Sequence, residues 1–148
     1  MSKRIFNTVT EYSTRLLALL ELLGKPASLD RLFLMDYISV NPRVCKLDIE
    51  SLHGVSAYRA SEIALQRKMV SEAIKYLFSK GLIKLDTDSS KGFRYLITPE
   101  GRKVEVMIDN QYLSIYKRNA KEVSEKVGDA TVVELLKMVR DSSNEEES

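Results

Sequence analysis

Residues with chemical potential are few in this sequence. Cys45, Ser51 and His53 all fall within Asn41 to Ala57, a run with neither helical nor strand periodicity. A thiol or hydroxyl beside an imidazole is the raw material of nucleophilic catalysis, because the ring can take the proton from the attacking group. The usual accompaniments are missing. Ser51 sits in no Gly-x-Ser-x-Gly elbow, and no paired carboxylate stands beside His53. His53 therefore reads as a side chain that bonds a backbone group in a short turn, and Cys45 as a small buried hydrophobe. One Cys and one His cannot complete a structural zinc site. Asp86 and Asp88 offer too few ligands for calcium and read as a solvated turn. Gly24, Gly54, Gly81, Gly92, Gly101 and Gly128 are scattered, and none belongs to a phosphate-binding loop. The expectation is a protein with no catalytic set, no metal and no cofactor.

Binding has better material. The stretch from about Tyr58 to Lys80 carries Arg59, Arg67, Lys68, Lys75 and Lys80 against Glu62 and Glu72, a net +3. Arg67, Ser71 and Lys75 follow one another at i, i+4 and i+8, opposite an apolar stripe of Ile63, Val70, Ala73, Ile74 and Leu77. Lys91 and Arg94 lie just beyond. Cations so arranged can neutralise phosphates, which makes Arg59, Arg67, Lys68, Lys75, Lys91 and Arg94 candidate nucleic-acid contacts. Only Arg59 and Gln66 near the helix start suit base readout, so sequence-specific recognition is not expected. The alternative is an ordinary solvated helix face. Partner binding is the other candidate activity, through Phe6, Tyr12, Tyr112, Leu113 and Tyr116, since Tyr offers a large apolar body with a polar tip. Equally, the helices bearing them can complete the chain's own core.

The elements that must position these residues are readable. Thr8-Val9-Thr10-Glu11 is a capping box opening a helix that is apolar on most of its surface, from Tyr12 through Leu16, Leu17, Leu19 and Leu20 to Leu23. Such a helix belongs at the centre of a core or against a partner. Gly24-Lys25-Pro26 ends it. Ser28 caps a second helix over Leu29–Ser39, and Asn41-Pro42 stops that one. After the long basic helix, Gly81 precedes two strands, Leu82–Leu85 and Phe93–Ile97, joined by a polar tip. Thr98-Pro99-Glu100-Gly101 restarts a helix that runs to about Asp109. A fifth helix runs from about Asn110 to Val127, and a sixth from Thr131 to Arg140. The fold class expected is mainly α with a small β-hairpin: a winged helix-turn-helix core over residues 1–109, a helical extension over 110–140 and a disordered acidic tail over 141–148.

Size and charge agree with one domain. The chain has 148 residues, 44% apolar, 30% charged and 7% aromatic, enough apolar material for one core and too much for a disordered chain. The formal charge of +2 hides an asymmetry, because Asp141, Glu145, Glu146 and Glu147 sit together at the end with no Lys or Arg. The rest carries 23 bases against 17 acids, or +6. Lone Cys45 fits a reducing compartment, and no apolar run approaches the ~20 residues of a membrane span. A soluble, cytoplasmic protein is expected.

The unit Leu82-Ile83…Tyr95-Leu96-Ile97-Thr98-Pro99-Glu100-Gly101-Arg102-Lys103 resembles the wing and following helix of bacterial winged-helix regulators. A narrower resemblance covers roughly residues 5–100. It rests on Phe6-Asn7-Thr8 before a Leu-rich helix, on Leu29-Asp30-Arg31-Leu32…Met35-Asp36-Tyr37, on Ser51-Leu52-His53, and on Arg59…Glu62…Arg67 followed by Gly81-Leu82-Ile83. In their order and spacing these segments resemble the middle component of bacterial three-component systems built around an ABC-type, SMC-like ATPase. That group includes the small subunit of Lamassu anti-phage defence. The sequence departs from the family pattern at Val9 and Gly54, where Pro is frequent.

The resemblance implies a non-catalytic subunit. It would bridge the SMC-like ATPase and an effector protein, often a nuclease, in a complex that senses invading double-stranded DNA. The second reading is a winged-helix transcription regulator that dimerises through its terminal helices and binds DNA itself.

Overall fold

The structure, a computed structural model, describes residues 8–42, 59–87, 90 and 92–147. Thr8 accepts from the Glu11 amide at 3.1 Å and so starts α1, Val9–Leu23, as the capping box requires. Gly24 closes α1 in the left-handed conformation (φ 65°), where a side chain would be strained. α1 is buried from Tyr12 to Leu20 apart from Thr14, and it contacts every helix from α2 to α5 described below. A helix this apolar over its middle turns can be accommodated only in this way.

α2 spans Leu29–Val40, capped by Ser28 accepting from the Arg31 amide, and is buried continuously from Leu32 onward. α3 spans Arg59–Ser79 and lays Val70, Ala73, Ile74 and Leu77 against α1 and α2. β1, Ile83–Leu85, and β2, Tyr95–Ile97, pair antiparallel with Ile83 opposite Ile97 and Leu85 opposite Tyr95. Ala27, in the α1–α2 connection, makes a reciprocal bridge to Tyr95 through bonds of 3.1 and 2.8 Å. The hairpin is thereby tied to the start of α2.

Thr98 then does three things. Its side chain caps α4, Pro99–Met107, by accepting from the Gly101 amide, and its hydroxyl donates to the Gly81 carbonyl at 2.7 Å. Its amide donates to the Leu82 carbonyl at 3.0 Å. α5, Gln111–Val127, is capped by Asn110, and α6 spans Val132–Glu147. The expected mainly helical architecture with one small hairpin is therefore the observed one: six helices and two strands among the described residues.

Two boundaries differ in an instructive way. The strands are shorter than the apolar runs suggested, because Leu82 serves the turn that ends α3, its amide donating to the Leu77 carbonyl. α6 continues past Arg140 through a stretch where composition had suggested a disordered tail; 141–147 holds no Gly or Pro to stop it. Leu113, Tyr116, Ala120 and Val123 of α5 and Leu135 and Val139 of α6 join the same core cluster as Leu16, Leu32 and Val70. No helix among the described residues is long and apolar enough to cross a membrane.

Candidate functional site

The most polar feature of the interior is built on the three central helices. Arg15 projects from α1 into a space where its side chain is 1% exposed, and Asp36 of α2 meets it equally buried. The geometry is bidentate: Nε to Oδ1 and Nη2 to Oδ2, both 2.9 Å. This fork matches a carboxylate in a way that lysine cannot. Tyr116 of α5 donates its hydroxyl to Asp36 Oδ1 at 2.8 Å, and Arg15 Nη1 reaches the Tyr112 hydroxyl at 3.4 Å. The guanidinium also stands over the Tyr12 ring, 4.4 Å from its centroid, and 5.8 Å from that of Tyr116.

Electrostatics follow from burial. Desolvation alone would lower the Arg15 pKa, but the charge of Asp36 and its hydrogen bonds outweigh it and hold Arg15 well above its ordinary value. Burial raises the Tyr116 phenol, and the Asp36 charge raises it further. Burial likewise raises Tyr12, and it pushes Tyr112 up to about 12, against the opposing pull of Arg15. Glu11, half-buried over this cluster, is raised by burial, with Arg15 opposing and Asp36 adding. Arg15 and the three tyrosines, all raised, keep their protons at neutral pH, so the cluster fixes geometry. It joins α1, α2 and α5 in one register. Asn119 of α5 adds a bond from its amide nitrogen to the Ser39 carbonyl at 3.3 Å.

This arrangement corrects the reading of the aromatic candidates. Tyr12, Leu113 and Tyr116 do not form an exposed partner surface: they are 1%, 1% and 0% exposed, within the packing of α5 on α1 and α2. Tyr112 is partly buried on Arg15. The alternative that these helices complete the chain's own core describes them, because α5 closes over a charge pair that needs covering. Phe6 lies outside the described residues.

The cationic candidates divide. Arg67 is exposed but paired across to Asp30 of α2 (Nη2 to Oδ1, 2.7 Å), and Arg94 is paired with Asp86 at 2.6 Å. Lys68 is exposed, and Lys75 is exposed with Glu72 at 3.5 Å. The Arg59 side chain and Lys91 lie outside the described residues, as do Cys45, Ser51, His53 and Asp88. The expected row of Arg67 and Lys75 is thus on one face of α3, with its arginine already engaged. Among the described residues, no group of three or more His, Cys, Asp or Glu could hold a metal ion.

A family model describing the ABC-three component (ABC-3C) system Middle Component 2 matches residues 5–147. The chain belongs to that family. No curated protein and no solved structure matches it. In this middle component, the match extends through α5 and α6, beyond the residues 5–100 that carried the resemblance. The sequence singled out Asp36 within Met35-Asp36-Tyr37 but attached no role to it. Arg15 stands at the start of the Leu-rich run. The signal was available in principle: an Arg interrupting an apolar helix on its buried side demands a carboxylate.

Proposed function

We propose that this middle component is a non-catalytic adaptor that joins an SMC-like ABC-type ATPase to an effector, a nuclease in the favoured case. It works in a cytoplasmic anti-phage complex of the Lamassu kind. The observation that carries this reading is the Middle Component 2 match over residues 5–147, since a middle component is by its description one part of a system. The charge arrangement is consistent with it. With Arg67 and Arg94 engaged by Asp30 and Asp86, the exposed candidates with described side chains are Lys68 and Lys75, beside Glu72. Such a face supports weak, salt-sensitive, non-specific contact with double-stranded DNA, as suits a protein held there by larger partners. Co-expression with an SMC-like ATPase and an effector from neighbouring genes tests the reading. The three should elute as one complex, and the ATPase and effector should separate when this chain is omitted. A middle component that elutes alone overturns it. Replacing His53 with Ala should leave phage protection unchanged if the subunit has no catalytic role.

The second reading is a homodimeric winged-helix transcription regulator. It is favoured by one specific observation, the hairpin that follows α2 and α3 and is tied to the start of α2 through Ala27 and Tyr95. Nanomolar, sequence-selective binding to its own upstream region in a gel shift would favour this reading. Weak binding lost at moderate salt would count against it.

A further inference from the structure

A hollow of about 450 Å³ opens where the α1–α2 connection, the start of α2, the entry to β2 and the α5–α6 turn meet. Lys25, Ser28, Arg31, Arg94 and Asp129 are among the residues that line it. Its charges are unevenly satisfied. Arg94 holds Asp86 at 2.6 Å and is balanced by it. Arg31 is partly buried, yet its guanidinium donates through Nη2 to the neutral Ala130 carbonyl at 2.8 Å. That bond fixes the side chain without neutralising it, and no carboxylate pairs with Arg31 among the described residues. Lys25, exposed on the α1–α2 connection, likewise has no ion pair among the described residues. A guanidinium taken partly out of water and left without a counter-ion is costly unless an anion completes it.

The lining specifies the ligand. One guanidinium and one ammonium without carboxylate partners match a phosphate monoester, which carries roughly −1.5 to −2 charge at neutral pH and three acceptor oxygens. A carboxylate would balance only one of the two cations. Asp129 is the one acid in the lining, exposed on the α5–α6 turn. It opposes a bare anion, but it accepts readily from a hydroxyl on a ligand whose phosphate lies against the cations. The volume is within the range of roughly 300–1,000 Å³ typical of small-molecule sites, more than a lone phosphate fills. We propose that this hollow binds a free phosphate monoester that carries hydroxyl groups, of the size of a sugar phosphate or a mononucleotide. Arg31 and Lys25 take the phosphate oxygens, and Asp129 accepts from a hydroxyl. The site needs no partner chain, so it is independent of the adaptor role.

Isothermal titration calorimetry of the full chain at low ionic strength provides the test. The probes are ribose 5-phosphate, AMP, inorganic phosphate, adenosine and a short DNA duplex. At least one of the two esters should bind about tenfold more tightly than inorganic phosphate, and adenosine should not bind. Arg31→Gln should weaken the ester by about tenfold or more, and Lys25→Gln by about threefold. Lys103→Gln, exposed on α4 and outside the lining, should change nothing. Asp129→Asn should act with opposite signs, weakening the ester and strengthening inorganic phosphate, which a merely structural role would not do. Far-UV circular dichroism checks that each variant is folded. Lys25 and Asp129 are exposed, so their substitutions decide the matter even if Arg31→Gln disturbs the turn at Ala130. Three results would overturn the proposal: neither ester binding below about 10 mM, ester binding indifferent to both Lys25→Gln and Asp129→Asn, or the duplex binding more tightly than the esters. Each of these leaves assembly with the ATPase and effector unaffected, so this site and the adaptor reading stand or fall separately.

Discussion

Arg15 grips both carboxylate oxygens of Asp36 at 2.9 Å, with each side chain 1% exposed, and Tyr116 bonds the same carboxylate from α5. Two charges removed from water repay their desolvation only when geometry and extra hydrogen bonds are good, and here both conditions are met. Removing one partner leaves the other charge buried and alone. Asp36→Leu and Arg15→Met are each expected to cost about 3–5 kcal/mol in urea unfolding. The double variant should recover most of that loss, because no lone charge remains. A double variant as unstable as the worse single would refute the account.

Tyr116→Phe isolates the hydroxyl. The ring, 0% exposed, keeps its packing, while Asp36 loses a bond of 2.8 Å. A hydrogen bond to a charged group contributes about 1.5–3 kcal/mol. The expected loss is of that size, and it should nearly vanish when Asp36 is already Leu. Urea unfolding of the four proteins in this double-mutant cycle measures the coupling.

Alkaline pH should loosen the same cluster. Tyr12, Tyr112 and Tyr116 hold their protons longer when folded than a free phenol does, Tyr112 up to about 12. Between the ordinary value near 10 and those raised values, the unfolded chain releases protons that the folded chain keeps. Stability is therefore complete below about pH 10 and falls as pH rises beyond it. Absorbance titration should find at least three of the seven tyrosines ionising only with the loss of helical signal.

Much of the fold was legible because helix ends announce themselves in local chemistry. Thr8, Ser28 and Thr98 cap the helices assigned to them, Gly24 and Gly81 have the positive φ that chain reversal requires, and Thr98-Pro99 starts α4 as read. The site was less legible, because its logic is long-range. Arg15 and Asp36 are separated by 21 positions, and Asp36 and Tyr116 by 80. Nothing local distinguishes a tyrosine that covers a buried carboxylate from one offered to a partner, which is why the sequence leaves both readings open for Tyr12 and Tyr116. Likewise, Arg67 and Arg94 read as free cations until folding brings up Asp30 and Asp86.

Gly101 tests the junction that tethers the hairpin to α4. A Cβ there would collide with the Leu82 carbonyl oxygen and approach Ile97 Cγ1 to 2.8 Å. The backbone cannot yield without disturbing the Thr98–Leu82 and Thr98–Gly81 bonds. Gly101→Ala should therefore destabilise by about 1–3 kcal/mol, despite the better helix propensity of Ala. A stabilised variant in thermal unfolding would show the junction to be looser than described.

The Arg67–Asp30 pair yields the most direct check on whether α3 faces DNA. Its side chains are 50% and 51% exposed, so solvent screens the pair and its removal should cost at most about 1 kcal/mol of stability. Its larger effect is to hold a guanidinium that would otherwise be available to phosphate. Asp30→Asn releases Arg67 without adding a positive side chain. If α3 faces DNA, weak duplex binding should strengthen, and the slope of log K against log salt should steepen by about one contact. Asp30→Asn combined with Arg67→Gln should return both to the starting values. Unchanged affinity and slope in the single variant would show that this face of α3 does not meet DNA.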